Sequence, residues 1–337
     1  MTAKGALIGC GFFAENHLNS WKILDVDLVA VCDLDPARAA SAAKRFGIAR
    51  HYSSAEEMLL REKLDFVDIV TTVGSHRMLV ELAARHGVAA ICQKPFATNL
   101  QDADAMILAC ERAGVALMVH ENFRWQEPML AVRRALDQPS IGNSFFGRIS
   151  FRHDYDIYAV QPYLAETERF AILDVGIHLI DLARFFFGEV AALSCTTQSV
   201  NPRVKGEDVA TILLQHINGV TSIVDASFFT HLSPNPFPQT TVEVDATNGS
   251  IRLTENYKLS INMDGKHSNL IVDPDVMNWM ERPWHCVQGS VLSIQRHWLE
   301  VLRDGGTPAT SGRDNRLTLQ LGLLAYEAAA TGTTIKI

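Results

Sequence analysis

Between residues 4 and 120 the chain alternates short apolar, often β-branched runs with longer segments of helical period. Runs at 5–9, 28–33, 66–73, 89–92 and 115–120 read as strands, and segments at 14–24, 36–46, 75–86 and 100–113 read as helices. Strands separated by amphipathic helices run parallel, because a parallel pair needs a crossover connection and the helices then cover the faces of the sheet. The expectation for this region is a doubly wound parallel sheet.

After about residue 122 the rhythm changes. Segments at 147–154, 191–200, 208–216, 219–229, 240–245, 250–253 and 258–263 are short and separated by turn signals at Asn201-Pro202, Asn218-Gly219 and Asn248-Gly249. Asn-Gly between apolar runs signals a hairpin, since a type I′ turn needs positive φ at both central residues. This predicts a largely antiparallel sheet, with helices at 174–187, 289–303 and 314–330 and a last strand at 334–337. A length of 337 residues suits two domains, placed at 1–121 and 122–337.

The first chemical motif is Gly9-Cys10-Gly11-Phe12-Phe13-Ala14, a G-x-G-x-x-A between the first strand and the first helix. Glycines there permit a tight turn and a close approach to a pyrophosphate, which would sit at the helix N-terminus. Asp33 stands 19 residues beyond Ala14, at the end of the second strand, where an acidic residue binds an adenosine ribose diol. No cation follows it in Leu34-Asp35-Pro36, so NAD is preferred over NADP, and Arg38 on the next helix reads as a solvated or adenine-stacking cation rather than a 2′-phosphate ligand. Thr72 and His76, in the segment at the end of the fourth strand, and Gln93-Lys94-Pro95, at the end of the fifth, fall at the carboxyl edge of the sheet, where ligands of open α/β folds bind.

A second constellation is Asp174-Val175-Gly176-Ile177-His178-Leu179-Ile180-Asp181. On an α-helix Asp174, His178 and Asp181 share one stripe of a helix that is otherwise apolar nearly all round, hence buried. A buried carboxylate beside an imidazole is either a structural pair or the wall of an active site in which the carboxylate orients a general base.

With these marks, His17 in the first helix and the closing Ala325-Tyr326-Glu327-Ala328, the chain resembles the glucose-fructose oxidoreductase, inositol dehydrogenase and rhizopine-catabolism (Gfo/Idh/MocA) family along almost its whole length. The resemblance implies a Rossmann domain followed by an α/β domain whose large, mostly antiparallel open sheet joins homodimers or homotetramers. It implies NAD as cofactor, with contacts from Gly9, Gly11, Phe12, Phe13, Asp33, Arg38, Thr72, His76, Gln93, Lys94 and Asn122, and a catalytic group of Lys94, Asp174 and His178. The family usually has Glu-Lys-Pro where this chain has Gln93-Lys94-Pro95, and many members have a glycine run where this chain has Glu168-Arg169-Phe170-Ala171; Arg169 is assigned to a loop.

The segments 11–17, 92–96 and 120–126 look most like the D-apiose dehydrogenase subgroup, which implies oxidation of the anomeric carbon of a branched pentose to its lactone. Substrate contacts are expected from Lys94, Glu121, Asp154, Tyr163, Asp174 and His178, with Arg152 and His153 nearby and Arg124 paired with Glu121. In this scheme His178 takes the hydroxyl proton and Lys94 stabilises the developing oxyanion, or Lys94 is itself the base. Inositol or galactose oxidation, an NAD-dependent glycosidase and a non-catalytic NAD sensor are the alternatives.

Composition narrows the partners. Thirty Lys and Arg against 38 Asp and Glu give a net charge of −8, which offers no support for tracking nucleic-acid phosphates. The six cysteines are scattered singly, without C-x-x-C or metal spacing, as suits reduced thiols in the cytoplasm and no bound metal. The first residues lack the layout of a secretory signal, and no stretch approaches 18 uninterrupted apolar residues, so no membrane partner is expected.

Overall fold

The computed structural model describes residues 2–337, which fall into two compact units: residues up to Asn122 together with Val291–Leu319, and Phe123–Ser290 together with Gln320–Ile337. In chain order the first unit forms β1 (Ala3–Ile8), α1 (Ala14–Ile23), β2 (Val26–Cys32), α2 (Pro36–Phe46), β3 (Arg50–Tyr52), α3 (Ala55–Arg61), β4 (Phe66–Ile69), α4 (His76–Arg85), β5 (Ala89–Gln93), α5 (Leu100–Ala113) and β6 (Leu117–His120). The six strands stand in the order β3-β2-β1-β4-β5-β6, all parallel. The chain leaves β1 toward one edge and later returns to β4 on its other side, so the loop after β1 lies at the switch point where doubly wound sheets bind ligands.

Residues 66–73 do not form one strand: β4 stops at Ile69 and Val73–Ser75 make a 3₁₀ turn. In the first unit two elements escaped the sequence pattern. β3 is only three residues long, and α3 is short, held at its start by Ser54 Oγ, which accepts the Glu57 N–H at 3.3 Å. The contacts also join residues 291–319 to the first unit, although the sequence places them in the second domain. Thr310 explains this, since it extends the edge of the sheet: the Val119 N–H donates to its carbonyl at 2.8 Å, and its hydroxyl donates to the Val119 carbonyl at 2.7 Å. Trp298, fully buried, meets Phe66 edge-on with ring centroids 6.2 Å apart.

The second unit contains α6 (Glu127–Leu136), β7 (Ser144–Arg152), α7 (Ile177–Phe187), β8 (Val190–Gln198), β9 (Val209–His216), β10 (Thr221–Ser227), β11 (Thr241–Ala246), β12 (Gly249–Thr254), β13 (Lys258–Met263) and β14 (Lys266–Ile271). Two long helices, α8 (His285–Asp304) and α9 (Gly312–Thr331), and β15 (Ile335–Lys336) close the chain. Nine strands stand in the order β14-β13-β12-β11-β7-β10-β9-β8-β15, and only β7 and β10 pair in parallel. β9 alternates buried and exposed residues, so one face of the sheet is covered. Leu179, Ile180, Leu182 and Ala183 of α7 belong to the core of this unit, each fully buried.

The hairpins correct the turn assignments. Between β9 and β10 only Gly219 has positive φ (90°); Gly219 N–H donates to the His216 carbonyl, and His216 N–H to the Val220 carbonyl. That is the three-residue loop ending in a left-handed glycine, not type I′. Neither Asn248 nor Gly249 has positive φ, and Gly249 instead admits the neighbouring strand, since a Cβ there would stand 2.2 Å from the Asn262 carbonyl oxygen. Paired positive φ values occur instead at Asn256 (59°) and Tyr257 (57°), between β12 and β13, and at Asp264 (53°) and Gly265 (71°), between β13 and an unanticipated β14. All six residues of β14 are exposed, which leaves no apolar alternation to read.

Trp298→Ala should cost about 3–5 kcal/mol, the usual penalty for emptying a large buried aromatic site. Urea unfolding should show it as a lower midpoint for the first unit; a change below about 1 kcal/mol would contradict the placement of this helix in that core.

Candidate active site

The glycine loop is built by steric exclusion. Gly9 has φ of 98°, and a Cβ there would stand 2.5 Å from the Val70 carbonyl oxygen and 2.8 Å from Thr71 Cγ2. Gly11 is the opposite case: nothing lies within 4 Å of its Cβ position, so the backbone is open to an approaching group. Phe12 is exposed at the tip of the loop, and α1 follows with no side-chain cap, so the positive end of the helix dipole faces that opening. Asp33 is tied to the same loop: Oδ2 accepts the Cys10 N–H at 2.7 Å and Oδ1 accepts the Asp35 N–H at 2.9 Å, leaving further lone pairs on both oxygens. Burial, and then Asp33, push the Cys10 thiol up to about 12, which makes it inert as a nucleophile. Arg38 is exposed and ion-paired with Asp35 at 3.5 Å.

The ends of β4, β5 and β6 carry the next group. Thr72 is exposed, whereas His76 is buried with Nε2 3.1 Å from the Thr71 carbonyl and Nδ1 3.2 Å from the Phe96 carbonyl. Burial lowers its pKa against the opposing pull of those carbonyls, and the ring lies between the loop after β4 and the one after β5. Lys94 is half-buried, and its backbone N–H donates to Gln93 Oε1 at 2.7 Å. Gln93 Nε2 lies 3.2 Å from Nε2 of the buried His17, whose Nδ1 lies 2.8 Å from Asp68 Oδ2. Glu121 and Asn122, directly after β6, are buried. Asp68 was missed by pattern reading, although an acid inside the fully buried strand Phe66–Ile69 is itself the signal of a polar partner.

In the second unit the expected helix begins with a π turn, Ile172–Gly176, before α7. π turns recur at functional sites. This one is held by Glu207, which pattern reading also missed: Oε1 accepts the Ile172 N–H at 3.0 Å and the Tyr326 hydroxyl at 2.7 Å, and Oε2 accepts the Phe170 N–H at 3.2 Å. Asp174 sits inside that turn, so it does not follow the α-helical spacing to His178 that the sequence suggested. His178 is buried with its ring flat on Phe123, centroids 3.9 Å apart and planes 1° from parallel. Asp181 accepts two bonds from Arg124, at 2.5 and 2.7 Å, and Arg184 Nη1 lies 4.0 Å from its Oδ1.

The remaining candidates divide. Tyr163 donates to Gln161 Oε1 at 2.9 Å; although its ring is largely exposed, desolvation around the hydroxyl and then the Asp174 carboxylate push its phenol up to about 12. Asp154 accepts from His231 Nδ1 at 2.6 Å and from Asn235 Nδ2 at 2.5 Å. Arg152 is bound to Asp225 and Thr230. His153 is buried among Phe151, Phe228 and Phe237, and Arg169 lies over the ring of Tyr326, 5.1 Å from its centroid.

Residues 3–121 match the pattern of the Gfo/Idh/MocA oxidoreductase family with an NAD-binding Rossmann fold, and residues 129–252 match the GFO/IDH/MocA C-terminal domain. The chain belongs to this family and is an NAD-dependent oxidoreductase. It is 54% identical to D-apiose dehydrogenase of Paraburkholderia graminis over 99% of its own length and 89% of that protein, and 52% identical to D-apiose dehydrogenase of Rhizobium rhizogenes over 99% and 97%. The crystal structure of an oxidoreductase from Agrobacterium radiobacter, in complex with NAD+, L-tartaric acid and magnesium, superposes with a TM-score of 0.98 at 51% identity, covering 100% of this chain and 98% of that one.

The residues present fit NAD: the glycine at the close approach, the open space over Gly11 and the acid fixed beside them are the features a dinucleotide requires. Gly9, Gly11, Phe12, Phe13 and Asp33 would hold it. Among the described residues no helix is long and apolar enough to cross a membrane.

Two outcomes follow. The unaltered protein should use NAD in preference to NADP, and Asp33→Ala should weaken NAD by roughly 10–100-fold, the loss of charged hydrogen bonds, while relaxing that preference. Equal initial rates with both cofactors in the unaltered protein would contradict the role of Asp33. Burial lowers the pKa of His153 from its ordinary 6.5 to about 4, opposed by Asp154. The unfolded chain therefore takes up a proton first as pH falls, so this contribution to stability is complete above pH 6.5 and is lost toward pH 4. Its loss at pH 5 is about 2 kcal/mol. His153→Phe should lose less stability between pH 7 and pH 5 than the unaltered protein; equal losses would refute the assignment.

Proposed function

We propose that the chain is an NAD-dependent sugar dehydrogenase that oxidises the anomeric carbon of D-apiose to its lactone. The observation that carries this reading is identity above 50% to two D-apiose dehydrogenases over nearly the full chain. The first unit binds the cofactor, and the second binds the sugar and self-associates through its large sheet as a homodimer or homotetramer in the cytoplasm.

Bound NAD supplies the hydride acceptor. Lys94, at the end of β5, donates from Nζ to the substrate oxygen and stabilises its developing negative charge. His178 takes the hydroxyl proton; its ring plane is held by Phe123, and Asp174, in the π turn, orients the exchange. The anomeric hydroxyl of a cyclic hemiacetal is more acidic than an ordinary alcohol, which suits an imidazole base near neutral pH. Asn122 reaches the nicotinamide amide, while Glu121, Asp154 and Tyr163 bond sugar hydroxyls. A sugar lacking a matching hydroxyl would leave such groups unpaired, a large penalty in a polar pocket.

Lys94→Ala and His178→Ala should each lower turnover by on the order of 10²- to 10⁴-fold, the usual contribution of positioned acid–base groups, with NAD affinity nearly unchanged. Near-normal turnover in either variant would remove that residue from the mechanism. Among D-apiose, myo-inositol and D-galactose, D-apiose should show the highest kcat/KM with NAD, and hydroxylamine should trap a lactone; faster turnover of inositol would defeat the substrate assignment.

A further inference from the structure

His17 links groups from three elements of the first unit. Its Nδ1 lies 2.8 Å from Asp68 Oδ2 in β4, its Nε2 lies 3.2 Å from Gln93 Nε2 at the end of β5, and Gln93 Oε1 lies 2.7 Å from the Lys94 backbone nitrogen. Hydrogen-bond polarity assigns every proton in this series. The Lys94 N–H can only donate, so the Gln93 atom facing it is the amide oxygen. The other end of Gln93 is then its NH₂, which has no lone pair to offer and donates to His17 Nε2. That nitrogen is therefore bare, and the single ring proton sits on Nδ1 and goes to Asp68. Trp21 Nε1 donates to the same Asp68 oxygen at 2.7 Å, and Gln295 Nε2 lies 3.4 Å from it.

All three links donate in one sense, from Lys94 through Gln93 and His17 to a buried carboxylate, and bonds so aligned polarise one another. The ionisable groups against His17 are Asp68 from β4 and His120 from β6, whose ring centroid is 4.2 Å away; Phe13 meets the imidazole edge-on at 5.5 Å, and Gln93 is neutral. A proton on Nε2 would oppose the Gln93 NH₂. Turning the amide to relieve that conflict would set the NH₂ against the Lys94 N–H. Protonation of His17 is thereby coupled to breaking the link to Lys94.

We propose that Asp68, His17 and Gln93 are positioning residues that hold Lys94 through its backbone, and that the amide at position 93 fixes His17 in the tautomer protonated at Nδ1. This rests on the reading that Lys94 meets the substrate oxygen. A carboxylate at position 93 would change the device, because it has no proton to give to His17 Nε2. Either the ring or the carboxylate must then take up a proton, and the position of Lys94 becomes pH-dependent.

The test is ¹⁵N-histidine NMR on the full chain with saturating NAD, with His17→Gln assigning the His17 signals among the twelve histidines. The His17 signals should show a protonated Nδ1 and a bare Nε2 at neutral pH. An imidazolium, or a proton on Nε2, in the unaltered protein would overturn the proposal whether or not any variant folds. In kinetics, His17→Leu should lower kcat by roughly 10–100-fold at nearly constant NAD affinity, as a small misplacement of a reacting group does. His17→Gln should keep most of the turnover, because its amide can accept from Gln93 and donate to Asp68. Gln93→Glu should add an ionisation to the kcat profile that the unaltered protein lacks; a superimposable profile would overturn the proposal. Lys94→Ala in the same series separates the two readings: retained turnover beside the expected His17 spectrum would remove Lys94 from the chemistry and leave the tautomer standing.

Discussion

The approach of β1 to β4 leaves no room for a side chain where the chain turns out of the sheet, and the cofactor half of the protein is organised around that contact. The Val70 carbonyl occupies the place where a Cβ of Gly9 would go. Because the turn is that tight, the Cys10 N–H is aimed at Asp33, and the acid proposed for the ribose is locked to the loop proposed for the pyrophosphate. The parallel order β3-β2-β1-β4-β5-β6 then brings the ends of β4, β5 and β6 alongside, with the Thr71 segment, Lys94 and Glu121 following their strands. The strand order thus gathers residues more than a hundred positions apart in the chain at one edge of the sheet.

Buried charge supplies the second layer of organisation. Asp68, Asp181 and Glu207 are all removed from solvent, and each spends its carboxylate on groups that shape a loop or turn next to a proposed catalytic residue. Glu207 satisfies two backbone N–H groups at the entrance of the π turn that holds Asp174, and Asp181 neutralises Arg124 next to Phe123, on which His178 is stacked. Such pairs add little net stability over an apolar alternative, but losing one partner leaves an uncompensated buried charge, typically a penalty of about 3–5 kcal/mol. Their benefit is orientation, and an oxidoreductase needs its proton-handling groups held in place.

Most of this was legible in the chain itself. Period and turn chemistry located α2, α5 and β13 to the residue, and the glycine motif with Asp33 marked the cofactor side. What escaped detection has physical reasons. β14 has no buried face, so it has no alternation. Residues 291–319 carry a clear apolar period, but a period shows that a helix packs and not which sheet it packs on. The i, i+4 spacing of Asp174 and His178 presumed α geometry, and nothing local announces a π turn whose support comes from Glu207, more than thirty residues away. The bond from Arg124 to Asp181, 57 residues distant, likewise has no local signal.

The central claim is that the hydrogen leaving the anomeric carbon of the sugar is the one the cofactor receives. D-apiose carrying deuterium at that carbon tests it directly. The account predicts that mass spectrometry finds the deuterium in the NADH formed, one label per turnover. NADH formed without label from this substrate would contradict it, because oxidation would then lie at another carbon.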